Sequence, residues 1–216
     1  MTDKIDFKKT LDCYRAPRGG FRIVDVPAMQ YLMVDGHGDP NTSPAYTDAL
    51  SALYPVAYKL KFFSKRELAR DYVVPPLEGL WWAEDMNSFT GSSRDKSRWS
   101  WTMMLMTPDW IERAAFLEAV DQAGAKDRPA RLDDVRLETL SEGRCVQTLH
   151  VGSFDDEGPV LERMHHEFVP EHGLRLEGKH HEIYFSDFRR VAPDRLRTLL
   201  RQPVGVSPSD LGRDPA

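Results

Sequence analysis

A carboxylate and a phenol stand two residues apart in the stretch 178–187, which reads Gly-Lys-His-His-Glu-Ile-Tyr-Phe-Ser-Asp. In a β-strand successive side chains point to opposite faces, so His180, Glu182 and Tyr184 are expected on one face. A carboxylate on a central strand loses solvation and then needs a partner, a water or a ligand. It can act as a general base, while the phenol donates a hydrogen bond. The simpler interpretation is that Glu182 is an exposed residue on the solvent face of a sheet.

Aromatic, methionine and acidic residues on two predicted strands and one predicted helix form a second group of candidates. The candidate ligand-binding residues are Tyr54, Tyr58, Trp81, Trp82, Glu84, Trp101 and Met104. Walls of aromatic and methionine side chains, with one or two carboxylates, are typical of a pocket for flat, apolar and often cationic molecules. Strand alternation places Trp82 and Glu84 on one face and Trp81 on the other. Core packing is the alternative explanation, although a buried indole N–H needs a partner.

Five of the seven histidines lie in the last quarter of the chain and raise the question of a metal site. The zinc-protease pattern fails, because Pro170 follows His166 and Glu167 before the next histidine. His180 and His181 are adjacent on a strand and point to opposite faces, so they cannot share a metal ion. No Gly-rich phosphate loop or nucleophile elbow is present. The sequence therefore predicts neither a metal nor a cofactor.

Composition limits the classes of partner. The chain has 216 residues and a formal net charge of −5, whereas a nucleic-acid partner normally requires a basic face. No apolar run approaches the roughly 18 residues of a membrane span. Two cysteines, Cys13 and Cys145, are too few for a disulfide framework and suit a reducing compartment. We therefore expect a cytoplasmic protein whose partner is a small aromatic or cationic ligand rather than nucleic acid or membrane.

The elements that must position these residues follow an α+β pattern. Predicted helices cover residues 44–63, 107–123, 159–168 and 192–200. Pro55 lies inside the first of them, where we expect a kink or a division of the helix. A unit of strand, Gly/Asp loop, proline-started helix and strand occurs twice, first after Val34 and again after Val151. Two such units predict an antiparallel sheet with helices on one side and a cleft between the two lobes.

Domain boundaries follow from the same pattern. Residues 1–20 are predicted to be an N-terminal arm, and 21–203 a single domain of two pseudo-repeats, 21–107 and 108–203. Residues 204–216 are predicted to be a disordered tail.

Three stretches, 72–82, 97–104 and 178–187, resemble the GyrI-like small-molecule-binding family, most closely its stand-alone bacterial branch. Residues 145–159 and the ending 192–203 also fit. The resemblance implies a duplicated β-α-β-β fold of the GyrI-like (SHS2-type) kind, with a ligand cleft between the repeats. One departure is Phe188, which replaces a proline and affects a turn more than the cleft.

The resemblance also implies roles for the candidate residues. The acidic residue of the Glu-Ile-Tyr strand, here Glu182, faces the cleft and meets cationic aromatic ligands in multidrug-sensing members. Some stand-alone members are cyclopropanoid hydrolases, which detoxify DNA-alkylating compounds by adding water to a strained ring. By this analogy Glu182 is the base and Tyr184 a hydrogen-bond donor, with Trp82, Trp101 or Trp81 as stacking walls. Strand parity can slip by one at a bulge, which leaves Trp81 and Trp82 as alternatives.

Two functions therefore compete. One is an enzyme that hydrolyses a reactive, flat, hydrophobic toxin, and the other is a protein that sequesters or senses aromatic ligands without turnover. A regulator's effector domain is a weaker third possibility, because the chain is acidic and has no DNA-reading domain.

Overall fold

Antiparallel pairing dominates the fold. The computed structural model describes residues 4–84 and 95–207, and these residues form one sheet of nine strands. The strands are β1 (Arg22–Val26), β2 (Met29–His37), β3 (Leu77–Trp82), β4 (Ser100–Thr107), β5 (Arg136–Leu140), β6 (Gly143–Val151), β7 (Leu174–Leu176), β8 (His180–Tyr184) and β9 (Arg197–Val206). The main path runs β1-β6-β9-β8-β3-β4-β2-β5, and β7 pairs with β9. The predicted α+β fold with a large antiparallel sheet is confirmed.

The helices lie in the connections between strands, apart from the first, which precedes β1. They are α1 (Phe7–Thr10), α2 (Pro44–Glu67), α3 (Arg113–Gly124), α4 (Gly158–Arg163) and α5 (Val169–Glu171). A π-helical turn, Met164–Phe168, joins α4 to α5. Within the described residues no helix has both the length and the apolar character needed to cross a membrane.

The order of the strands shows the duplication. The first unit is β2-α2-β3-β4 and the second is β6, the α4–α5 helical segment, β8 and β9. Their strands lie in the mirrored orders β2-β4-β3 and β6-β9-β8, so β3 and β8 pair at the centre of the sheet. Side chains of β3 and β8 on the helix-covered face therefore lie where the two units meet.

The long helix α2 is built by a stripe of apolar residues. Pro44 occupies the first turn, where its missing N–H costs nothing, and Leu53, Val56 and Leu60 are fully buried. The stripe packs on β2 and β4. The helix continues through Pro55 as one element and ends at Glu67, four residues beyond the predicted end.

Strand alternation divides the core into two layers. On β4, Trp101 and Met103 pack towards α2, whereas Met104 packs in the opposite layer. Residues of the N-terminal segment cover that opposite face, where Cys13 and Tyr14 are buried. The segment predicted as an arm thus lies against the sheet.

A buried network of charges fixes the N-terminal segment to this second face. The Tyr14 hydroxyl donates to Glu78, and His181 Nε2 lies 3.0 Å from Glu78 Oε2. His181 Nδ1 is 3.0 Å from Glu142 Oε1, and Arg201 Nη1 is 2.6 Å from Glu142 Oε2. All five side chains are buried, so each charge depends on its partners because water does not reach it.

The predicted helix over residues 192–200 is wrong. Pro193–Arg195 form only a 3₁₀ turn, and β9 begins at Arg197. Because β9 is a central strand between β6 and β8, both of its faces are buried, and its apolar residues do not alternate with exposed polar ones. The strand includes residues 204–206, which were assigned to the tail and which pair with β7. The remaining tail from residue 208 lies outside the described residues.

Candidate functional site

Glu182 lies on the central strand β8, directly opposite Gly79 of β3. A Cβ at Gly79 would lie 2.9 Å from the indole nitrogen of Trp81 and 3.3 Å from the Met103 sulfur. The glycine therefore leaves room for the Trp81 indole to lie over the strand towards β8. The carboxylate is on the helix-covered face, at the meeting point of the two units.

Three side chains form a short hydrogen-bonded chain there. Trp81 Nε1 donates to the Tyr184 hydroxyl oxygen at 3.0 Å, and the Tyr184 hydroxyl donates to Glu182 Oε2 at 2.7 Å. His180 Nε2 is 3.5 Å from the other carboxylate oxygen, Oε1. The Glu182 side chain is only 13% exposed. The carboxylate is thus held by one oxygen, and Oε1 remains for a water or a ligand.

Burial determines the protonation of the phenols around Glu182. It raises the pKa of Tyr184 well above its ordinary value, and the neighbouring Glu182 carboxylate raises it further. Burial and then Glu182 likewise raise the pKa of Tyr46. Both phenols therefore keep their protons across the neutral range and can act only as neutral hydrogen-bonding groups.

Aromatic rings surround the carboxylate on the side of the first unit. Tyr46 of α2 stacks on Trp81, with ring centroids 6.4 Å apart and an interplanar angle of 28°. The same tyrosine meets Trp101 edge to face at 5.4 Å, and Trp99 meets Trp81 edge to face at 5.8 Å. Offset and edge-to-face contacts are the arrangements that aromatic pairs prefer, so each ring stabilises the position of the next. The result is a fixed aromatic wall.

The second unit contributes the opposite side. Phe154, in the turn after β6, meets Tyr184 edge to face at 5.7 Å and Phe188 at 6.5 Å. Phe188 is 49% exposed and marks the rim. Tyr54 of α2 is half-buried close enough to Asp187 and Arg189 for their charges to act on it, although burial is the main cause of its raised pKa. The turn that contains the Phe188 departure therefore lies at the edge of the site.

The structure brings together some of the sequence-predicted residues. Glu182, Tyr184 and Trp81 are in direct hydrogen-bonded contact, and Tyr54 lies at the rim. Trp101 is fully buried behind Tyr46, where its indole donates to a backbone carbonyl, so it supports the wall from the core side.

Other predicted residues are elsewhere. Trp82 and Met104 belong to the opposite layer of the sheet, and the Lys179 ammonium lies 3.3 Å from the Trp82 ring centroid. Tyr58 is 48% exposed on the outer side of α2, and Glu84 is exposed beyond the end of β3. The register of β3 and β8 decides which of the two tryptophans shares a face with Glu182. It is Trp81, because Trp81 is paired directly with His180, which lies on the face of Glu182. Sequence alternation alone had placed Trp82 with Glu84 but could not connect either to β8.

Sequence reasoning assigned no role in the site to Tyr46, Phe154 and His180. Tyr46 lies eight residues before Tyr54 on the same helix, so helical spacing could have grouped the two. Phe154 is in a loop, and no periodic signal identifies its contacts. His180 was placed on the correct face but not beside a partner. Among the described residues, no group of three His, Cys, Asp or Glu side chains is arranged to hold a metal ion.

A duplicated sheet with a carboxylate among aromatic side chains, where the two units meet, defines a small-molecule-binding protein. Residues 20–204 match the family described as GyrI-like small molecule binding domain. Because the match covers most of the chain, the protein belongs to the GyrI-like family, which confirms the resemblance seen in the sequence.

Solved structures agree with this assignment. Two structures from Listeria innocua are similar over 94% of this chain and 100% of theirs. One, described as an uncharacterized conserved protein, is 38% identical with a TM-score of 0.84, and the other, described as a hydrolase, is 37% identical with a TM-score of 0.81. The C-terminal domain of EcmrR, 9% identical with a TM-score of 0.53 over 87% of this chain and 98% of that chain, shares the fold. A search of curated proteins gave no match.

Proposed function

We propose that this protein binds flat, hydrophobic aromatic molecules at Glu182 and adds water to the strained ring of cyclopropanoid alkylating compounds. The observation that carries the proposal is the state of the Glu182 carboxylate. It is 13% exposed, held through Oε2 by Tyr184, and placed among the rings of Trp81, Tyr46 and Phe154. A carboxylate that is held in one direction, with one oxygen left without a hydrogen-bond donor, can take a proton from a water molecule placed beside that oxygen.

The reaction is a ring opening by water, assisted by a general base. Glu182 Oε1 takes a proton from a water molecule, and the water oxygen forms a bond to the cyclopropane methylene carbon. The ring C–C bond breaks, and its electron pair moves through the conjugated dienone to the oxygen, which becomes a phenolate and then takes a proton from solvent. Aromatic walls keep the flat ligand in line with the attacking water.

The structure modifies the role first expected of Tyr184. Its hydroxyl proton is directed at Glu182 Oε2, so Tyr184 orients the base and is not free to donate to the dienone oxygen. Tyr46, the second protonated phenol beside Glu182, is better suited to donate to that oxygen. The similar Listeria structure described as a hydrolase supports a hydrolytic activity.

The test is incubation with a spirocyclopropane dienone, followed by mass spectrometry. We expect the product to gain one water, with ¹⁸O from labelled solvent. Glu182→Gln should lower the rate roughly 10²- to 10⁴-fold, the usual contribution of a general base. Glu118→Gln, an exposed carboxylate on α3, is the matched control and should leave the rate unchanged. Equal rates in the wild type and Glu182→Gln would remove Glu182 from the mechanism.

Binding without turnover is the second candidate, favoured by the small-molecule-binding description of the family. A planar cationic dye such as ethidium should quench tryptophan fluorescence whether or not water is added. Quenching with no water adduct would assign the protein to sequestration or sensing. Absence of quenching across a panel of planar dyes would argue against any aromatic site.

A further inference from the structure

His180 lies next to Glu182 on the side away from Tyr184, and a second histidine, His165, contacts His180. His165, on the π-helical turn, and His180, on β8, have ring centroids 6.4 Å apart. His165 is 8% exposed and His180 is 2% exposed. A π-helical turn inserts one extra residue into a helix, and such turns are often found at functional sites. Here the turn places an imidazole over the strand that carries the carboxylate.

Polar atoms in this region lack hydrogen-bond partners within the described residues. They are both ring nitrogens of His180, Nε2 of His165 and Oε1 of Gln202. Gln202 of β9 is one position along from the paired residues His181 and Arg201, which places it beside His180. An unpaired buried polar atom is destabilising, so four together are not a neutral packing arrangement. Such atoms take a water or a ligand group as their partner.

The position of His180 relative to Glu182 decides which partner is relevant. Its Nε2 is 3.5 Å from Oε1, the carboxylate oxygen that Tyr184 does not hold. A proton taken up at Oε1 is therefore at ion-pair distance from a buried imidazole nitrogen. Within the described residues no other basic nitrogen lies at ion-pair distance from this carboxylate.

We propose that His180 is a positioning residue that acts through Glu182, and that its Nε2 accepts the proton that Glu182 takes from the attacking water. This inference rests on the proposed function. The proton of the attacking water passes from Glu182 Oε1 to His180 Nε2, so that the His180 ring becomes an imidazolium. His180 then releases the proton to solvent before the next turnover. Glu182 is returned to its carboxylate form, ready to act again.

The groups that face His180 are compatible with this role. Glu182 and the neutral Tyr184 lie on its own strand, and the residues beside it on β3 and β9, Trp81 and Gln202, are uncharged. Burial, and then His180, lowers the pKa of His165 to about 3. His165 is therefore uncharged at neutral pH and does not repel a proton on its neighbour. His166 is exposed to solvent on the same turn.

The test compares the wild type with His180→Gln, using the spirocyclopropane dienone across a pH series. We expect kcat to fall about ten- to hundredfold, since proton transfer by a positioned side chain typically contributes 10²–10⁴ and solvent replaces it in part. KM should stay within about twofold, because the substitution removes none of the aromatic rings of the ligand wall. In the wild type kcat should fall at the acid end of the pH series, because a protonated His180 cannot accept another proton. This acid limb of the kcat profile should disappear in His180→Gln. His37→Gln, an exposed histidine at the end of β2, is the matched control.

A second measurement separates this inference from the proposed function. Ethidium affinity of the wild type should fall as the pH is lowered, because an imidazolium next to Glu182 neutralises the carboxylate that attracts the dye. The affinity of His180→Gln should fall less over the same pH series, because the variant has no imidazole beside Glu182. Absence of a water adduct in the wild type would overturn the hydrolytic function, while the dye series would still report proton sharing. Identical dye profiles in the two proteins, or an unchanged kcat and acid limb in His180→Gln, would overturn the inference.

Folding of the variant is checked by thermal unfolding. If His180→Gln is unfolded, His165→Phe tests the same pair of histidines from the helix side. It should lower kcat several-fold without altering the binding of neutral dyes, because it removes the polar imidazole that contacts the His180 ring. An unchanged kcat in folded His165→Phe would also count against the proposal.

Discussion

The indole nitrogen of Trp81 donates a 3.0 Å hydrogen bond to the hydroxyl oxygen of Tyr184, and this contact joins a strand from each unit of the sheet. Because Tyr184 in turn donates to Glu182, the orientation of the carboxylate depends on a residue of the other unit. The site is therefore a product of the duplication, and its properties can be tested one residue at a time.

The two adjacent tryptophans should differ in their effect on binding. Trp81→Phe should weaken ethidium binding about tenfold, the order expected when a cation loses its best aromatic partner and the Tyr184 contact is lost. Trp82→Phe should change the affinity less than twofold, because Trp82 lies on the opposite layer under Lys179. Fluorescence titration of both variants checks this, and the reverse order would show that the site is on the other face.

Tyr184→Phe should reduce both stability and rate. It removes the donor to Glu182 and the acceptor for Trp81, which is expected to cost about 1–3 kcal/mol of unfolding free energy. Without this hydrogen bond the Glu182 carboxylate is no longer held in position, so kcat should fall roughly ten- to hundredfold. Urea unfolding and water-adduct kinetics measure the two effects.

Tyr72→Phe, a buried phenol near Phe7 and Trp110, is the control for Tyr184→Phe. It should leave kcat unchanged. Because the pKa of Tyr184 is raised well above 10, the wild-type rate should also show no loss from ionisation of this phenol up to pH 10. An alkaline limb that is present in the wild type and absent in Tyr184→Phe would contradict that assignment.

Stability should depend on pH through the buried charges of the second face. Burial opposes the charge on Glu142, but His181 and Arg201 lower its pKa from 4.5 to about 2. At about 1.4 kcal/mol per pKa unit, this shift stabilises the folded state by ~3 kcal/mol. The stabilisation is present above the pKa of Glu142 in the unfolded chain, and it is lost as pH falls from about 4.5 towards 2. The free energy of unfolding, measured by urea denaturation at each pH, should fall over that range.

His181 should give the unfolding free energy the opposite dependence on pH, with a limb on the alkaline side of the profile. Burial opposes its charge, but Glu142 raises its pKa overall above 6.5. Its contribution is complete below the unfolded pKa of 6.5 and lost as pH rises through the folded value. The unfolding free energy should therefore be greatest between about pH 4.5 and 6.5. In Glu142→Gln both limbs should flatten, and limbs that persist would assign the pH dependence to other groups.

Tyr14→Phe tests how firmly the N-terminal segment is attached. The substitution removes the phenol that donates to the buried Glu78 carboxylate and should cost about 1–3 kcal/mol of unfolding free energy. Tyr58→Phe, at an exposed position on α2, should change stability by less than about 0.5 kcal/mol. Chemical denaturation of both variants gives the comparison, and equal stabilities would mean that the Tyr14 contact contributes nothing.

The amino-acid sequence by itself determined which side chains share a face on a strand. Alternation placed His180, Glu182 and Tyr184 together and His181 opposite them, and the structure has this arrangement. The sequence also predicted the β-α-β-β units and the start of α2 at Pro44, because proline, glycine and helical spacing act locally. The sequence motifs identified the family, which the comparisons confirm.

Only the tertiary structure decided which strands are neighbours and therefore which side chains meet. Trp81 rather than Trp82 faces Glu182 because β3 pairs with β8 in one register, and pairing between strands a hundred residues apart leaves no local signal. A related reason explains β9, whose residues 197–200 were included in a predicted helix, because a strand that is buried on both faces lacks alternation. The contact of His165 with His180 likewise depends on where a π-helical turn packs. Such contacts depend on packing across the whole sheet, and no single stretch of sequence specifies them.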